Sequence, residues 1–563
     1  MNEHSAAHAK EDATEPLRAL RRAVERSAAD LLGDGGEAVA ASRPITLERP
    51  KRAEFGDYST NAALLLAPGV GAPPREVAER LGGSLEQLLG ASLERFEVAG
   101  PGFVNLFLSD GWVRGALAGV LAAGERFGAG GADRPERINI EFVSANPTGP
   151  LHVGHARNAA YGDSLARMLA FHGHEVGREF YVNDAGSQIE KFGETIGAIA
   201  RGEPVPEDGY KGDYVPELAA LLPGAAEMEP AALGRAAVDV MLERMRESLG
   251  RFRVEEYDHW TYESALHKGE PSPVAQTLAM LAEQGRTFTE DGALWLRTTE
   301  FGDDKDRVLV RSSGEHTYFA SDIAYHQEKR ERGFQRQIDV WGADHHGYIA
   351  RMKAAYQALG GDPAELELLI MQLVHLLHSG ERAQMSKRAG EFVTLDDLIE
   401  EIGVDAARWY LLARSHDTTL DIDIDLAREQ SNENPVYYVQ YAHARISSML
   451  VRAGGDRVGA AVEAVRAGRL PEEPMHPSER ALVLGLLGFP GVLAEAVERR
   501  APHRIAALAL ELAQGFTAFY RDCRVVGSEP EAVESFRIAL SVAATGTIAR
   551  CLDLLGVSAP DRM

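Results

Sequence analysis

The sequence predicts an α/β protein with a parallel sheet, preceded by a small α+β domain and followed by an all-helical domain. From Arg137 the pattern runs strand, helix, strand, as RINIEFV, HVGHARNAAYGDSLARMLAFHG and EVGREFYVND. A helix between two apolar strands is typical of a parallel sheet. Earlier in the chain, ERFEVAGPGFVNLFLSD alternates like two strands joined by a Gly-Pro-Gly turn. Together with the helical stretch PLRALRRAVERSAADLLG, this alternation indicates the small domain.

The domain boundaries follow from changes in this pattern. A chain of 563 residues is long enough for three or four domains. We place three at residues 1–112, 113–425 and 426–563, because the last segment has the helical period almost throughout. Strand-like runs at GALWLRT, RVLVRS and QIDVWGAD extend the α/β region to about residue 400. The Gly- and Pro-rich stretch ARGEPVPEDGYKGDYVPE interrupts it and indicates an insertion near 200–260.

Composition narrows the class of protein. Hydrophobic residues make up 45% of the chain and charged residues 26%, as in an ordinary soluble protein. The formal charge of -26 argues against a polybasic nucleic-acid binder, although a local basic strip could still contact RNA. With only Cys523 and Cys551, we expect no disulfide framework and no protein-bound structural metal. The start is polar and no apolar run approaches the length of a membrane helix, so we expect a cytoplasmic protein without membrane contact.

The stretch NIEFVSANPTGPLHVGHARN, residues 139–158, predicts a nucleotide site. Two prolines and a glycine deny the loop a regular conformation, and we expect the next helix to begin near Leu151 with its N–H groups facing the loop. His152 and His155 lie one turn apart on one face, where imidazoles can bind phosphate. Gly154, without a Cβ, lets a base approach the backbone. The alternative is a helix with two surface histidines, but the preceding strand and loop favour the nucleotide site.

A second stretch, SGERAQMSKRAGEFVTLDDL, supplies positive charge. Glycines at both ends and the adjacent Lys387 and Arg388 suit a mobile loop that closes over phosphates. The alternative is a charged surface loop.

These two stretches carry a family resemblance. HVGH resembles the HIGH signature of class I aminoacyl-tRNA synthetases, and QMSKR resembles their KMSKS loop. The segments ANPTGPLHVGHARNA, YKGDYV, YFASDIAYH, WGADHHGY, NPVYYVQYAHARI and LGVSAPDRM resemble bacterial arginyl-tRNA synthetases in particular. EFGDYSTNAALLLA and AGPGFVNLFL resemble the additional N-terminal domain of that family. The resemblance therefore spans nearly the whole chain.

The resemblance implies a fold and an activity. The three domains would be an additional tRNA-binding domain, a Rossmann-like class I catalytic domain and a helical anticodon-binding domain. The activity would be that of an arginine–tRNA ligase, which forms arginyl-adenylate from L-arginine and ATP and transfers the arginyl group to the terminal adenosine of tRNA(Arg). ATP would be a substrate that carries Mg²⁺ with it, and a monomer is expected. Two alternatives are another HxGH nucleotidyltransferase and a tRNA-binding or biosynthetic paralogue, although the signature residues stand intact.

The resemblance also implies roles for single residues. His152, His155 and Lys387 would be catalytic. The positions implied for ATP binding are Pro150, Leu151, Gly154, Asp344, His345, Met385 and Ser386. Two positions depart from the family pattern: Gln384 stands for the first lysine of KMSKS and Arg388 for its last serine. The upstream PTGP holds no lysine that could substitute.

The resemblance also implies residues that bind the other two substrates, arginine and tRNA. A guanidinium is planar and always charged, so carboxylates match it best. By resemblance the arginine-binding residues are Glu141, Asn146, Tyr318 and Asp322, and Tyr318 could equally be a packing residue. The residues implied for tRNA binding are Phe103, Asn105, Tyr437 and Tyr441. A core strand is the alternative for the first two, and a packed helical stripe is the alternative for the two tyrosines.

Overall fold

The computed structural model describes residues 16–32, 45–50, 52–382 and 393–563. The small N-terminal domain packs three helices on a four-stranded antiparallel sheet of order β1-β2-β4-β3. Its helices are α1 (Pro16–Leu32), α2 (Ala62–Val70) and α3 (Pro74–Leu89), and its strands are β1 (Leu47–Glu48), β2 (Tyr58–Thr60), β3 (Leu93–Ala99) and β4 (Phe103–Leu108). The predicted hairpin is confirmed, with Gly100 at a φ of 53° in the turn, where a side chain would be strained.

The centre of the molecule is a five-stranded sheet in which every neighbouring pair is parallel, in the order β12-β11-β5-β6-β7. Its strands are β5 (Arg137–Glu141), β6 (Glu175–Val182), β7 (His259–Tyr262), β11 (Arg336–Gly342) and β12 (Leu366–Met371). Buried apolar side chains such as Ile138, Phe180 and Ile338 place it in the main core. The predicted α/β domain with a parallel sheet is thus confirmed.

The runs GALWLRT and RVLVRS do not join this sheet. They form, with an earlier strand, a separate antiparallel sheet of β8 (Thr287–Glu290), β9 (Ala293–Leu296) and β10 (Arg307–Val310), in the order β10-β9-β8. These two runs therefore do not continue the parallel sheet, whereas QIDVWGAD forms β11 within it, so the predicted extension of the α/β region past residue 337 is confirmed. Successive strands here are joined by connections too short for a crossover helix, so only antiparallel pairing is possible.

The region around the parallel sheet also contains helices, and the one that follows β5 packs on β5, β6 and β11. They are α4 (Asp110–Ala123), α5 (Val153–His172), α6 (Ser187–Ala200), α7 (Tyr214–Leu221), α8 (Pro230–Arg251), α9 (Glu263–Leu266), α10 (Pro273–Glu283), α11 (Tyr318–Glu331), α12 (Ile349–Ala358) and α13 (Leu395–Leu412). The stretch predicted as an insertion contains α7 and α8, which pack on α6 around their own cluster of Phe192, Val215 and Met241.

A fourth sheet, of three strands, leads to the C-terminal domain. It consists of β13 (Val374–His378), β14 (Glu381–Arg382) and β15 (Leu420–Asp423) in the order β14-β13-β15, followed by α14 (Ile424–Arg428). The chain then forms the predicted helical domain, made of α15 (Pro435–Ala453), α16 (Gly455–Arg466), α17 (Pro477–Leu487), α18 (Phe489–Glu498), α19 (His503–Asp522) and α20 (Glu531–Leu554). The predicted boundaries at 112 and 425 fall inside α4 and α14 and stay predictions.

Two helical stretches, Pro477–Glu498 and Glu531–Leu554, are long and apolar enough to cross a membrane, so the expectation of no such run was wrong. Half of the first window and 56% of the second are buried inside the protein. Leu482, Phe489 and Ile548 belong to the main core. Burial of this kind is what the core helices of a helical domain require.

Candidate active site

The parallel sheet has a crevice where its winding direction changes. β5 and β11 are neighbours, but the chain continues from β5 to β6 on one side and from β11 to β12 on the other. Ligands of open α/β sheets bind outside the carboxyl ends of the strands at such a switch point. The residues after β5 run into α5, and the residues after β11 form a short 3₁₀ helix, Ala343–Tyr348. Both segments carry residues implied by the signature motifs.

The histidine motif forms a reciprocal helix cap. The helix begins at Val153, two residues later than predicted, so that His152 is the capping residue and His155 the third helical residue. His152 Nδ1 accepts the N–H groups of Gly154 at 3.0 Å and of His155 at 3.4 Å. In return, the His152 N–H donates to His155 Nδ1 at 3.2 Å. The two rings stack with their centroids 3.7 Å apart. The pair thus satisfies N–H groups that a helix start leaves without partners.

This cap defines the protonation of both rings. Because each Nδ1 accepts a backbone N–H, the ring proton must lie on Nε2. Burial lowers the pKa of His155 to about 3, and the nearby His152 adds to the shift. Burial also lowers the pKa of His152. Both imidazoles are therefore neutral near pH 7, and each has one Nε2–H group that can donate to an oxygen.

Gly154 has a steric role within the protein as well as the predicted one toward a base. A Cβ at this position would lie 2.8 Å from Cε1 of His152, because the ring folds back over the first turn of α5. Any side chain here would push the His152 ring out of the cap.

A cavity of about 280 Å³ opens beside this cap. It is lined by His152, Val153, Gly154, Val374, His375, Leu376, Arg382 and Val393. The Val153 N–H donates to the Val393 carbonyl at 3.0 Å, which ties the helix start to the segment after residue 392. The predicted residues Met385, Ser386 and Lys387, with Gln384 and Arg388, lie outside the described residues. The chain leaves the described part at Arg382 and re-enters it at Val393, and both residues line this cavity.

The other residues implied for ATP binding differ in their exposure and in the cavity that they line. Leu151 is buried in the main core, so only its backbone could contact a nucleotide, and Pro150 is half-buried. Asp344 and His345 are exposed on the 3₁₀ helix after β11, and the Asp344 charge acts on the His152 ring. His345 lines a second cavity rather than the cavity at His152.

This second cavity, of about 340 Å³, brings together three of the four residues implied for arginine. Glu141, Tyr318 and Asp322 line it, together with Val143, Ser144, Asn158, Tyr181, Tyr325, His326, Asp339, Val340, Trp341, Gly342, His345 and Tyr348. The fourth, Asn146, is exposed and does not line it. Asp322 Oδ2 accepts the Tyr348 hydroxyl at 2.6 Å. Burial raises the pKa of Asp322, and the Tyr348 hydrogen bond opposes the shift. Acidic and aromatic groups thus converge in one crevice at the switch point.

Comparison with known proteins agrees with this geometry. Three protein-family models cover most of the chain: an arginyl-tRNA synthetase N-terminal domain at 18–108, a class I (R) synthetase catalytic domain at 117–202 and 237–446, and a DALR anticodon binding domain at 439–563. The arginine–tRNA ligase of Bacillus licheniformis is 44% identical over 534 residues, 92% of this chain and 94% of that protein. The same ligase of Desulforudis audaxviator is 44% identical over 97% of this chain and 98% of its own.

The chain belongs to the arginyl-tRNA synthetase family. The Thermus thermophilus arginyl-tRNA synthetase structure superposes with a TM-score of 0.74 at 25% identity, covering 97% of this chain and 100% of that one. The predicted family, fold and enzyme class are confirmed. The chain is a class I ligase that activates arginine and charges tRNA.

In this synthetase, Glu141 is held by contacts that the sequence did not predict. Lys329 Nζ donates to Glu141 Oε2 at 2.6 Å, and the Ser144 hydroxyl donates to Glu141 Oε1 at 2.9 Å. Burial raises the pKa of Glu141, and the Lys329 charge opposes the shift. Val143 and Ser144 have φ angles of 72° and 41°, a strained conformation for residues other than glycine. That conformation brings the Ser144 hydroxyl back onto Glu141.

Sequence reasoning missed four residues of this site: His326, Lys329, Asp339 and Tyr348. Two signals were available. His326 and Lys329 follow Asp322 at spacings of four and seven, which places all three on one helix face. Asp339 lies inside the apolar strand QIDVWG, and an acid within a buried strand indicates a partner.

The two surfaces implied for tRNA differ in accessibility. On β4, Phe103 is 39% exposed, but Asn105 is only 4% exposed, which favours the core-strand alternative for Asn105. On α15, Tyr437 and Tyr441 lie parallel with ring centroids 6.1 Å apart, and Tyr441 is 36% exposed. The Arg445 guanidinium lies over the Tyr441 ring at 5.0 Å. A planar aromatic and guanidinium surface of this kind can stack on unpaired bases.

Proposed function

We propose that this arginine–tRNA ligase binds ATP in the cavity at His152 and arginine in the neighbouring cavity at Asp322. The arrangement is supported by the lining of the two cavities: the first includes His152, a neutral N–H donor that stacks on His155, and the second includes the carboxylates Glu141, Asp322 and Asp339. Neutral donors can bind phosphate oxygens of MgATP, and carboxylates match a guanidinium. We propose that Mg²⁺ enters with ATP.

The reaction needs no covalent enzyme intermediate. The arginine carboxylate attacks the α-phosphorus of ATP, pyrophosphate leaves, and arginyl-adenylate forms. A ribose hydroxyl of the terminal adenosine of tRNA(Arg) then attacks the arginyl carbonyl, and AMP leaves. Catalysis therefore depends on positioning and on stabilising charge as it moves to the phosphates. His152 and His155 would donate Nε2–H groups to the phosphate oxygens, and Gly154 would pass close to the nucleotide.

Lys387 is proposed to supply the positive charge at the phosphates. Its segment leaves and rejoins the described chain at the two residues that line the ATP cavity, Arg382 and Val393. The described residues on either side of this segment therefore lie at the same cavity as His152. Met385 and Ser386, in the same segment, are proposed to contact ATP, as are Pro150, Leu151, Asp344 and His345.

Arginine is proposed to bind with its guanidinium at Asp322 and beside Glu141, under the exposed ring of Tyr318, which is 60% accessible at the start of α11. Asn146, exposed on the loop after β5, is proposed to bind the backbone groups of the substrate. The roles of Glu141, Tyr318 and Asp322 are supported by their shared cavity and by the family motifs, and the role of Asn146 is supported by the motif.

For tRNA, we propose that Phe103 contacts the elbow, with the buried Asn105 next on the same face of β4, and that Tyr437 and Tyr441 contact the anticodon loop. The division into domains at 1–112, 113–425 and 426–563 is part of this proposal, as are a monomeric state and a cytoplasmic location.

The observation that carries the proposal is the acidic cavity beside the paired histidines. Charging of total tRNA with each of the twenty amino acids should give arginyl-tRNA alone. Arginine-dependent exchange of pyrophosphate into ATP, with and without tRNA, should show that activation requires tRNA. Exchange in nuclease-treated enzyme would contradict that requirement. Adenylate formation without tRNA charging would indicate a nucleotidyltransferase, and tRNA binding without either reaction would indicate a non-catalytic paralogue.

A further inference from the structure

A fully buried lysine lies beneath the proposed arginine cavity. Lys329 has a relative exposure of 0%, and its Nζ donates to Glu141 Oε2 at 2.6 Å and to Asp339 Oδ1 at 2.9 Å. The Nζ atom also lies 4.2 Å from the centre of the Tyr325 ring. Burial alone would lower the pKa of Lys329, but the charges of Asp339 and Glu141 outweigh it and the pKa lies above its usual value. The lysine is therefore a permanent cation.

The two carboxylates need this cation because of the strand register. Glu141 and Asp339 stand opposite each other on the neighbouring parallel strands β5 and β11. Both line the arginine cavity. Two buried carboxylates at paired positions of neighbouring strands repel each other strongly unless a cation lies between them. Without Lys329, Glu141 would rotate away or take up a proton.

His326 completes the neutralisation of Asp339. Its Nε2 lies 2.8 Å from Asp339 Oδ2 and its Nδ1 lies 2.7 Å from the carbonyl oxygen of Asp322. Both neighbours are acceptors, so both ring nitrogens must donate and the imidazole is protonated. The pKa of His326 agrees, since the Asp339 charge raises it against the effect of burial.

Asp322 is in a different state. Its carboxylate accepts the Tyr348 hydroxyl, but within the part of the chain that the structure describes no lysine, arginine or histidine nitrogen lies within 4.0 Å of it. Asp322 is half-buried, and burial raises the pKa of its carboxyl although the nearby His326 and His345 oppose the shift, so a cationic ligand would stabilise the carboxylate further.

We propose that Lys329 is a positioning residue for arginine recognition. By holding Glu141 against Asp339, it orients the Glu141 carboxylate at the cavity and leaves Asp322 as the carboxylate to be paired by the guanidinium. The inference rests on the proposed arginine cavity and deepens it. A buried ion pair is often replaceable by apolar residues without loss of stability, so a charged cluster open to a cavity indicates a role in the site.

The test compares Lys329→Met with a matched variant on the same helix. Arg332 donates to both carboxylate oxygens of Glu179 at 2.8 Å, and neither residue lines the arginine cavity. Arg332→Met therefore also removes a cation from a buried carboxylate, but one that does not line the cavity and keeps hydrogen bonds from Asn139 and Thr261. Lys329→Met should raise the arginine KM on the order of tenfold or more, since a misplaced group at a site is costly, with the ATP KM changed by less than about twofold. Arg332→Met should lower the melting temperature while leaving the arginine KM within about twofold.

A double-mutant cycle identifies the route. If Lys329 acts through Glu141, the variant carrying Lys329→Met and Glu141→Gln should have an arginine KM no worse than the worse single variant. If the double variant instead raised the arginine KM by the product of the two single effects, that result would overturn the proposal. So would an arginine KM in Lys329→Met within about twofold of wild type, or an equal rise in Arg332→Met.

A third variant covers the case in which Lys329→Met does not fold. Lys329→Arg keeps the charge but not the fit between the two carboxylates, so it should still raise the arginine KM. An unchanged arginine KM in this variant would overturn the inference. Asp322→Asn tests the cavity itself. If this variant leaves the arginine KM unchanged, the proposed arginine site is wrong. If Asp322→Asn raises the arginine KM but Lys329→Met does not, only the role of Lys329 is rejected.

Discussion

His152 and His155 stack with ring centroids 3.7 Å apart, and each accepts a backbone N–H from the other residue. Each Nδ1 atom can accept only while its ring is neutral, so the stability of the first turn of α5 depends on pH.

The first prediction concerns acid stability. The pKa of His155 is about 3 in the folded protein, whereas an unfolded histidine titrates near 6.5. Below pH 6.5 this histidine is protonated in the unfolded chain but stays neutral in the folded chain. Its contribution to the free energy of unfolding is therefore fully present above pH 6.5 and is lost as the pH falls toward 3. His155→Asn keeps an acceptor for the His152 N–H but does not titrate. Urea unfolding at pH 7.5 and 5.0 should therefore show a smaller acid loss in this variant than in wild type. An equal loss in both proteins would mean that His155 does not contribute.

The second prediction concerns Lys387, which lies outside the described residues. An interaction made mainly in the transition state lowers kcat when removed and leaves KM values nearly unchanged. Lys387→Ala should lose on the order of 100-fold in adenylate formation, as for the loss of one preorganised donor.

Arg388→Ala is the control for this loop, because Arg388 stands where the family has serine. It should lose much less activity than Lys387→Ala, and tRNA binding should be nearly unchanged in both. Equal impairment of the two variants, or charging by Lys387→Ala near the wild-type rate, would reject the role of Lys387.

The third prediction concerns Asp322. Replacing it with asparagine leaves the guanidinium a neutral acceptor, at a cost of roughly 1.5 to 3 kcal/mol for a charged hydrogen bond. That cost corresponds to an arginine KM raised by roughly 10- to 150-fold, with the ATP KM little changed. Steady-state charging assays with each substrate varied in turn measure both values. Tyr348→Phe removes only the neutral donor to Asp322 and should have the smaller effect.

The fourth prediction concerns Glu263, at the start of α9. Burial, with the charge of Asp322, raises the pKa of Glu263 from 4.5 to about 7. Between these values the unfolded chain has lost a proton that the folded chain keeps, so this contribution to stability is present below pH 4.5 and is lost as pH rises to about 7. Glu263→Gln removes the titration. The variant should gain melting temperature over wild type at pH 8 but not at pH 5, and a pH-independent difference would contradict the assignment.

The fifth prediction concerns the aromatic surface on α15. Stacking of a base on an aromatic side chain contributes about 1–3 kcal/mol, so Tyr441→Ala should raise the KM for tRNA by roughly 5- to 150-fold. Tyr441→Phe keeps the ring and should stay close to wild type. If both variants charge tRNA with the wild-type KM, the alternative of a packed helical stripe holds.

Much of the site could be predicted because its signals are local. The HVGH motif follows a strand and a Pro-rich loop within about twenty residues, so that its place at a helix start is encoded by neighbours in the chain. The burial of Asn105 was not predictable in the same way. Alternation along β4 predicts two faces but not which of them a second layer covers.

The sequence by itself determined three domains, a parallel sheet in the middle one, the motifs and the family, because periodicity, turn residues and signature spacing act over short stretches. Only the tertiary structure decided that GALWLRT and RVLVRS pair in a separate sheet, and that Lys329 bonds Glu141, 188 residues earlier in the chain. Contacts of that kind depend on strand order and register. Those are set by the simultaneous burial of many side chains, and no short stretch encodes them.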